Sequence, residues 1–127
     1  MLVDTDVLIW HLRGLAQATQ RLDAIPKLTI SAITYLELLQ GMRSKAELSA
    51  VQKSLELRHA ERLPVTPAIT ERAVALMETL ALSHGLQVGD ALIAATALEH
   101  NLALLTANTK HFAAIEGIRI ERFESGS

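Results

Sequence analysis

Short apolar runs alternate with longer stretches of helical periodicity along most of this chain. Leu2-Val3 is an apolar strand that stops at Asp4. Residues 7–20 follow a helical pattern with Gly14 as a break, and residues 27–31 read as the next strand, entered from Pro26. Residues 32–42 form a predicted helix with Ser31 as N-cap. Residues 44–58 are amphipathic, with Leu48, Val51 and Leu55 on one stripe. In Leu63-Pro64-Val65 the proline restricts a short strand to a sheet edge. A long helix over 67–83 opens on Pro67 and is broken by Gly85. An Ala-rich helix over 89–100, a strand over 102–106, a short helix over 110–115 and a strand over 117–122 complete the pattern. Strands separated by helices predict an α/β fold with a mostly parallel sheet. Ligands of such sheets bind beyond the carboxyl ends of the strands, so chemistry is expected where strands stop.

Composition narrows the class. The chain has 127 residues, half of them apolar and one fifth charged, which suits one domain over residues 1–127 and excludes disorder. There is no cysteine, so there is no thiolate metal site, disulfide or cysteine nucleophile; a reducing cytoplasm is compatible with that. The longest stretch without Asp, Glu, Lys or Arg runs only from Thr79 to Gly89, well short of the about 20 apolar residues of a membrane span. The N-terminus carries acids where a signal peptide carries positive charge. A net charge of −2 gives no broad basic footprint for nucleic acid.

The acids are placed unevenly. The aspartates are Asp4, Asp6, Asp23 and Asp90, and two of them directly follow the first strand. A carboxylate beside a buried strand needs a hydrogen bond, water or a cation. A turn or helix cap accounts for one of them; that role falls to Asp6 or Thr5 and leaves Asp4 spare. Glu37 stands on the predicted 32–42 helix between Leu36 and Leu38, where an ordinary solvated glutamate is the alternative. Asp90 suits the first turn of its helix as a cap, a role compatible with ligation because a carboxylate has two oxygens. Thr106 and Asn108 follow the fourth strand, where an ordinary polar turn is the alternative. Several oxygens meeting at strand ends would repel one another without a cation. Mg²⁺ or Mn²⁺ suits hard oxygen donors, activates water and attracts phosphate to an acidic cleft.

Four segments resemble the PIN-domain ribonucleases, and within them the VapC-type toxins of prokaryotic toxin–antitoxin pairs. They are Leu2-Val3-Asp4-Thr5-Asp6-Val7-Leu8-Ile9, the stretch from Ser31 to Gly41 around Glu37, Val88-Gly89-Asp90-Ala91-Leu92-Ile93-Ala94-Ala95, and Leu104-Leu105-Thr106-Ala107-Asn108-Thr109-Lys110-His111-Phe112. Their order and the chain length fit the family nearly end to end. The resemblance implies a three-layer fold, a five-stranded parallel sheet flanked by helices. It implies metal-dependent hydrolysis of RNA phosphodiesters by water. Asp4, Glu37 and Asp90 match the family's metal-binding acids. Asn108 stands where many members carry a fourth acid, a departure that bears on a second metal. Thr106 matches a hydroxyl that supports the first aspartate, and Asp6 a supporting acid that is not itself a ligand. Homodimers and a VapB-type antitoxin, whose C-terminal segment blocks the active-site groove, are implied as partners. The stripe of residues 44–58 suits that groove wall or, alternatively, plain core packing.

His11, Arg13, Arg43, Lys45, Lys110 and His111 lie close in sequence to the acidic segments, which suits phosphate contacts as well as an ordinary charged surface. Arg43, Lys45 and Lys110 are the candidates for holding RNA. No His-x-His or His-Glu-x-x-His pattern supports zinc. Trp10, Tyr35, Phe112 and Phe123 are too few for a base-stacking platform. Nucleotide-binding glycine loops and a Gly-x-Ser-x-Gly elbow are absent. A haloacid-dehalogenase-type phosphatase also opens with Asp-x-Asp, but this chain has no aspartate after Asp90 for its metal. A PIN-like module that binds a partner without cutting is the remaining rival, kept open by Asn108.

Overall fold

β1 (Leu2–Val3) sits at the centre of a five-stranded sheet of order β3-β2-β1-β4-β5, in which every neighbouring pair is parallel. The computed structural model describes residues 1–125. After β1 come α1 (Thr5–Leu12), α2 (Ala16–Asp23), β2 (Thr29–Ser31), α3 (Ala32–Gln40), α4 (Lys45–Leu57) and β3 (Glu61–Leu63). The chain then crosses the sheet through α5 (Pro67–His84) and α6 (Val88–Glu99) to β4 (Leu104–Thr106). A 3-10 turn (Thr109–His111) and β5 (Ile120–Arg122) follow. The excursions leave β1 in opposite directions, so the gap between β1 and β4 is the sheet's switch point, where α/β proteins place ligands.

Side-chain alternation along these short strands separates two cores. Leu2 and its partner Leu104 face Ile69 and Ala73 of α5 and Ala91, Ile93 and Ala94 of α6. Val3 and its partner Leu105 face Val7 of α1, Leu22 of α2, Leu38 of α3 and Val51 of α4. The three-layer α/β arrangement is the expected one. The run of buried alanines in α6 lets that helix lie close to both α5 and the sheet.

Local signals set the helix ends. Ser31 Oγ accepts from Thr34 N at 3.0 Å, the cap expected for α3. Ser44 caps α4 through Glu47 N, while Glu47 Oε1 accepts from Arg43 N, a reciprocal capping arrangement. Thr66 caps α5 ahead of Pro67.

Three expectations shift. The single helix over 7–20 is two helices, beginning already at Thr5 and parted by Gly14 at φ +88°. The third strand is an edge strand as expected, but it spans Glu61–Leu63, because its register sets Leu63 opposite Ser31. The short helix of 110–115 is the 3-10 turn of Thr109–His111. No helix among the described residues is long and apolar enough to cross a membrane.

Candidate active site

The carboxyl ends of β1, β2 and β4 and the start of α6 carry the three acidic segments and the Thr106–Asn108 turn. Asp4 is 5% exposed and is itself the N-cap of α1. This corrects the expectation that Asp4 is spare: β1 ends at Val3, and Asp4, in extended conformation, is the residue from which the helix starts. Its two oxygens divide the work. Oδ1 accepts from Thr5 N at 2.8 Å, and Oδ2 accepts from Thr106 Oγ1 at 2.8 Å. Burial, reinforced by the Asp6 charge, pushes the Asp4 carboxyl up to about 7 from an ordinary 3.8, against the pull of those two donors.

Asp6 binds the turn after β4. Its Oδ2 accepts from Ala107 N at 3.0 Å and from Asn108 Nδ2 at 3.1 Å, and its Oδ1 accepts from Val7 N at 2.8 Å. Burial raises its proton affinity and these donors oppose the rise. Asn108 N donates to Thr106 Oγ1 at 3.0 Å, which completes a relay from Asn108 through Thr106 to Asp4. Asp6, Thr106 and Asn108 thus act as supports of Asp4, and Thr106 is fully buried in that position.

Glu37 is exposed on α3, so the solvated alternative describes its surroundings, yet it is anchored: Thr5 Oγ1 donates to its Oε1 at 2.6 Å. Asp90, in the first turn of α6, takes no cap role; the N-cap residue is Gln87, and Asp90 Oδ2 lies 3.2 Å from His111 Nδ1. Burial raises the Asp90 carboxyl, His111 pulls it down, and the charges of Glu37 and Asp6 raise it again. Glu37 and Asp6 are thus charged neighbours of Asp90, and the Glu37 carboxylate lies against the backbone of Gly89, the residue before Asp90. The carboxylates meet as neighbours and not as a finished cage: among the described residues no three Asp, Glu or His groups stand in ion-holding geometry. The set consists of hard oxygen donors, and the charges around Asp4 and Asp90 raise the proton affinity of those two carboxyls, a condition a divalent cation relieves.

The basic candidates divide. Arg43 lies at the rim of a groove of about 340 Å³ that also includes Glu37, Arg13, Leu12, Met42 and Val51, and it pairs with Glu47 at 2.8 Å. Of the α4 stripe, Val51 is buried in the core and also lines this groove. Lys45 is exposed at the start of α4. Lys110 lines a separate cavity of about 330 Å³ with His84 and His111. His11 stands apart, at the far end of α1 from Asp4, roughly 10 Å along the helix. Its ring joins Thr19 Oγ1 at 2.7 Å and Ser54 Oγ at 3.3 Å, tying α1 to α2 and α4, and burial lowers its proton affinity. Two contributors to the site escaped sequence reading: Thr5 as the anchor of Glu37, and His111 as the partner of Asp90. Thr5 adjoins Asp4 in sequence, which was a usable signal; His111 stood among the basic residues of the fourth segment, but nothing local pairs it with Asp90.

The model of the PIN domain family matches residues 1–118. The chain is 40% identical over 123 residues to Ribonuclease VapC10 of Mycobacterium tuberculosis, covering 94% of this chain and 90% of that protein. A toxin–antitoxin complex from Klebsiella pneumoniae contains a chain of 36% identity and TM-score 0.78, with 92% of this chain and 93% of that one covered. A DNA-bound VapBC from Salmonella typhimurium matches at 26% identity and TM-score 0.82, covering 95% and 96%.

Proposed function

Because this chain belongs to the PIN-domain family, we propose that it is an endoribonuclease toxin that hydrolyses RNA phosphodiester bonds with Mg²⁺ or Mn²⁺ and is held in check by a VapB-type antitoxin. The observation that supports the chemistry is the Asp4 carboxyl, buried at the sheet's switch point and raised to about 7 by burial and by the charges of Asp6 and Asp90, with Glu37 a charged neighbour of Asp90. The ribonuclease relative supports the reaction class, and the toxin–antitoxin neighbours support the partner. The site of action is the cytoplasm and the working form a homodimer.

Asp4, Glu37 and Asp90 would hold the cation. The ion supplies an activated water and neutralises charge on the scissile phosphate. The protein's own contribution is orientation. Thr106 and the Thr5 amide fix both oxygens of Asp4, the Thr5 hydroxyl fixes Glu37, and His111 steadies Asp90. The groove beside Glu37, apolar along Leu12, Met42 and Val51 and basic at Arg13 and Arg43, receives the C-terminal segment of the antitoxin.

The test is cleavage of a mixed cellular RNA pool by the purified chain with Mg²⁺ or Mn²⁺, beside the same reaction in EDTA. Cutting is expected only with the metal. A chain that neither cuts nor binds Mn²⁺ is instead the non-catalytic module, the reading that the amide at Asn108 favours. Substrate binding is tested separately. Replacing Arg43 and Lys45 together by alanine is expected to weaken RNA binding several-fold. The slope of log K against log salt should drop by about 0.7 for each phosphate no longer neutralised. Because Arg43 already pairs with Glu47, most of the loss belongs to Lys45. Unchanged affinity and slope would remove both residues from the RNA path.

A further inference from the structure

Gly89 is the second residue of α6, next to Asp90, and its backbone is helical. Nothing about its own conformation demands glycine. The demand comes from the opposite side of the cleft. A Cβ built on Gly89 would lie 2.9 Å from Glu37 Oε2 and 3.8 Å from Glu37 Cδ, and beyond its chain neighbours and its own helix backbone it would meet nothing else within 4 Å. The other oxygen of that carboxylate accepts from Thr5 Oγ1 at 2.6 Å. Glu37 is therefore clasped between the Thr5 hydroxyl and the bare first turn of α6.

We propose that Gly89 is a positioning residue: the missing Cβ forms a notch that lets the Glu37 carboxylate lie against α6 beside Asp90, where the divalent cation is bound. The inference rests on the metal-dependent reading above and deepens it, by naming what sets the place of the third acid. An alanine at 89 forces a displacement of several tenths of an ångström at least. Glu37 yields and the backbone does not, because its carboxylate is the exposed end of a flexible side chain. Helical alanine is otherwise favoured over glycine, since it restricts the unfolded chain. Function and stability therefore move in opposite directions.

The experiment is a cycle of Gly89→Ala, Glu37→Ala and the double variant, read by Mn²⁺ calorimetry and by melting in EDTA. Gly89→Ala alone is expected to lower Mn²⁺ affinity about tenfold or more, the usual scale for a displaced ligand support. In the Glu37→Ala background the same change should alter affinity less than about twofold, because the residue it acts through is gone. In EDTA, Gly89→Ala should raise the melting temperature by roughly 2–4 °C when Glu37 is absent. The rise should be smaller in the parent, where Glu37 loses its hold on Thr5. Parental Mn²⁺ affinity in Gly89→Ala, or an equal loss in both backgrounds, overturns the proposal. A parent that binds no Mn²⁺ overturns the metal reading instead. The melting cycle then decides the notch, and equal gains in the two backgrounds refute it.

Discussion

Asp4→Asn is expected to abolish RNA cleavage, by a factor of about 10³ or more, while melting higher than the parent in EDTA at pH 8. Both effects have one origin. Asp4 is 5% exposed and its carboxyl is raised to about 7 by burial and by Asp6. Its folded value exceeds the unfolded 3.8, so the folded state binds the extra proton between these limits. The stability this group contributes is present in full below about pH 4 and is lost as pH rises through about 7. Keeping Asp4 ionised in the metal-free fold therefore costs on the order of 4 kcal/mol at pH 8. Asparagine removes the charge and keeps a carbonyl oxygen for one of the two donors, Thr5 N or Thr106 Oγ1, while its NH2 faces the other. Some of the penalty returns, about 1–2 kcal/mol, at roughly 4 °C of melting temperature per kcal/mol. At pH 5 Asp4 is protonated in the folded parent, which has regained roughly 2–3 kcal/mol, so the variant's advantage should be lost and the parent should melt at least as high. Added Mn²⁺ should reverse the order at pH 8, stabilising the parent alone by about 2.7 kcal/mol at a hundredfold excess over Kd. Melting curves at the two pH values, with and without Mn²⁺, check the three stability statements, and an RNA cleavage assay checks the loss of activity. A variant that cuts at the parent rate takes Asp4 out of the mechanism.

The alternation of strands and helices was legible, because apolar runs and helical stripes are local patterns that the packed layers preserve. So were the acidic segments, since Asp4, Glu37 and Asp90 stand beside strand ends or helix starts that sequence marks by caps and breaks. What escaped was decided by partners distant in sequence. The third strand slid toward Glu61 because Ser31 sets its register, while Val65, an apolar residue that argued for a strand there, remains 37% exposed. Asp4 took the cap that Asp6 or Thr5 was expected to supply, because the length of β1 determines where α1 begins. His111 reaches Asp90 across the turn after β4, and Gly89 has its reason in a side chain on α3. Neither relation leaves a periodic trace, whereas a local signal such as the split at Gly14 does.

The supports of Asp4 should matter as well, though less than Asp4 itself, and Asp6 carries most of that burden. Asp6→Ala is expected to lower stability by about 2–3 kcal/mol and cleavage by about 10–100-fold. The stability loss follows from the donors left behind, since Ala107 N and Val7 N lose a carboxylate acceptor and Asn108 Nδ2 loses its partner. The loss of activity follows from the relay. With the turn after β4 released, Asn108 N no longer holds Thr106 Oγ1 in place, and Thr106 is the donor that fixes Asp4 Oδ2. Asp6→Asn separates charge from hydrogen bonding. It keeps an oxygen for Ala107 N and should cost less stability, but it removes the like charge that helps to raise Asp4. Asp4 should then ionise at lower pH, and Mn²⁺ binding should begin at lower pH than in the parent. Mn²⁺ titrations across pH 5–8 read that shift directly. If Asp6→Asn abolished Mn²⁺ binding at every pH, Asp6 would be a ligand in its own right, and the carboxylate whose charge raises Asp4 most would belong to the metal's coordination and not to its scaffold.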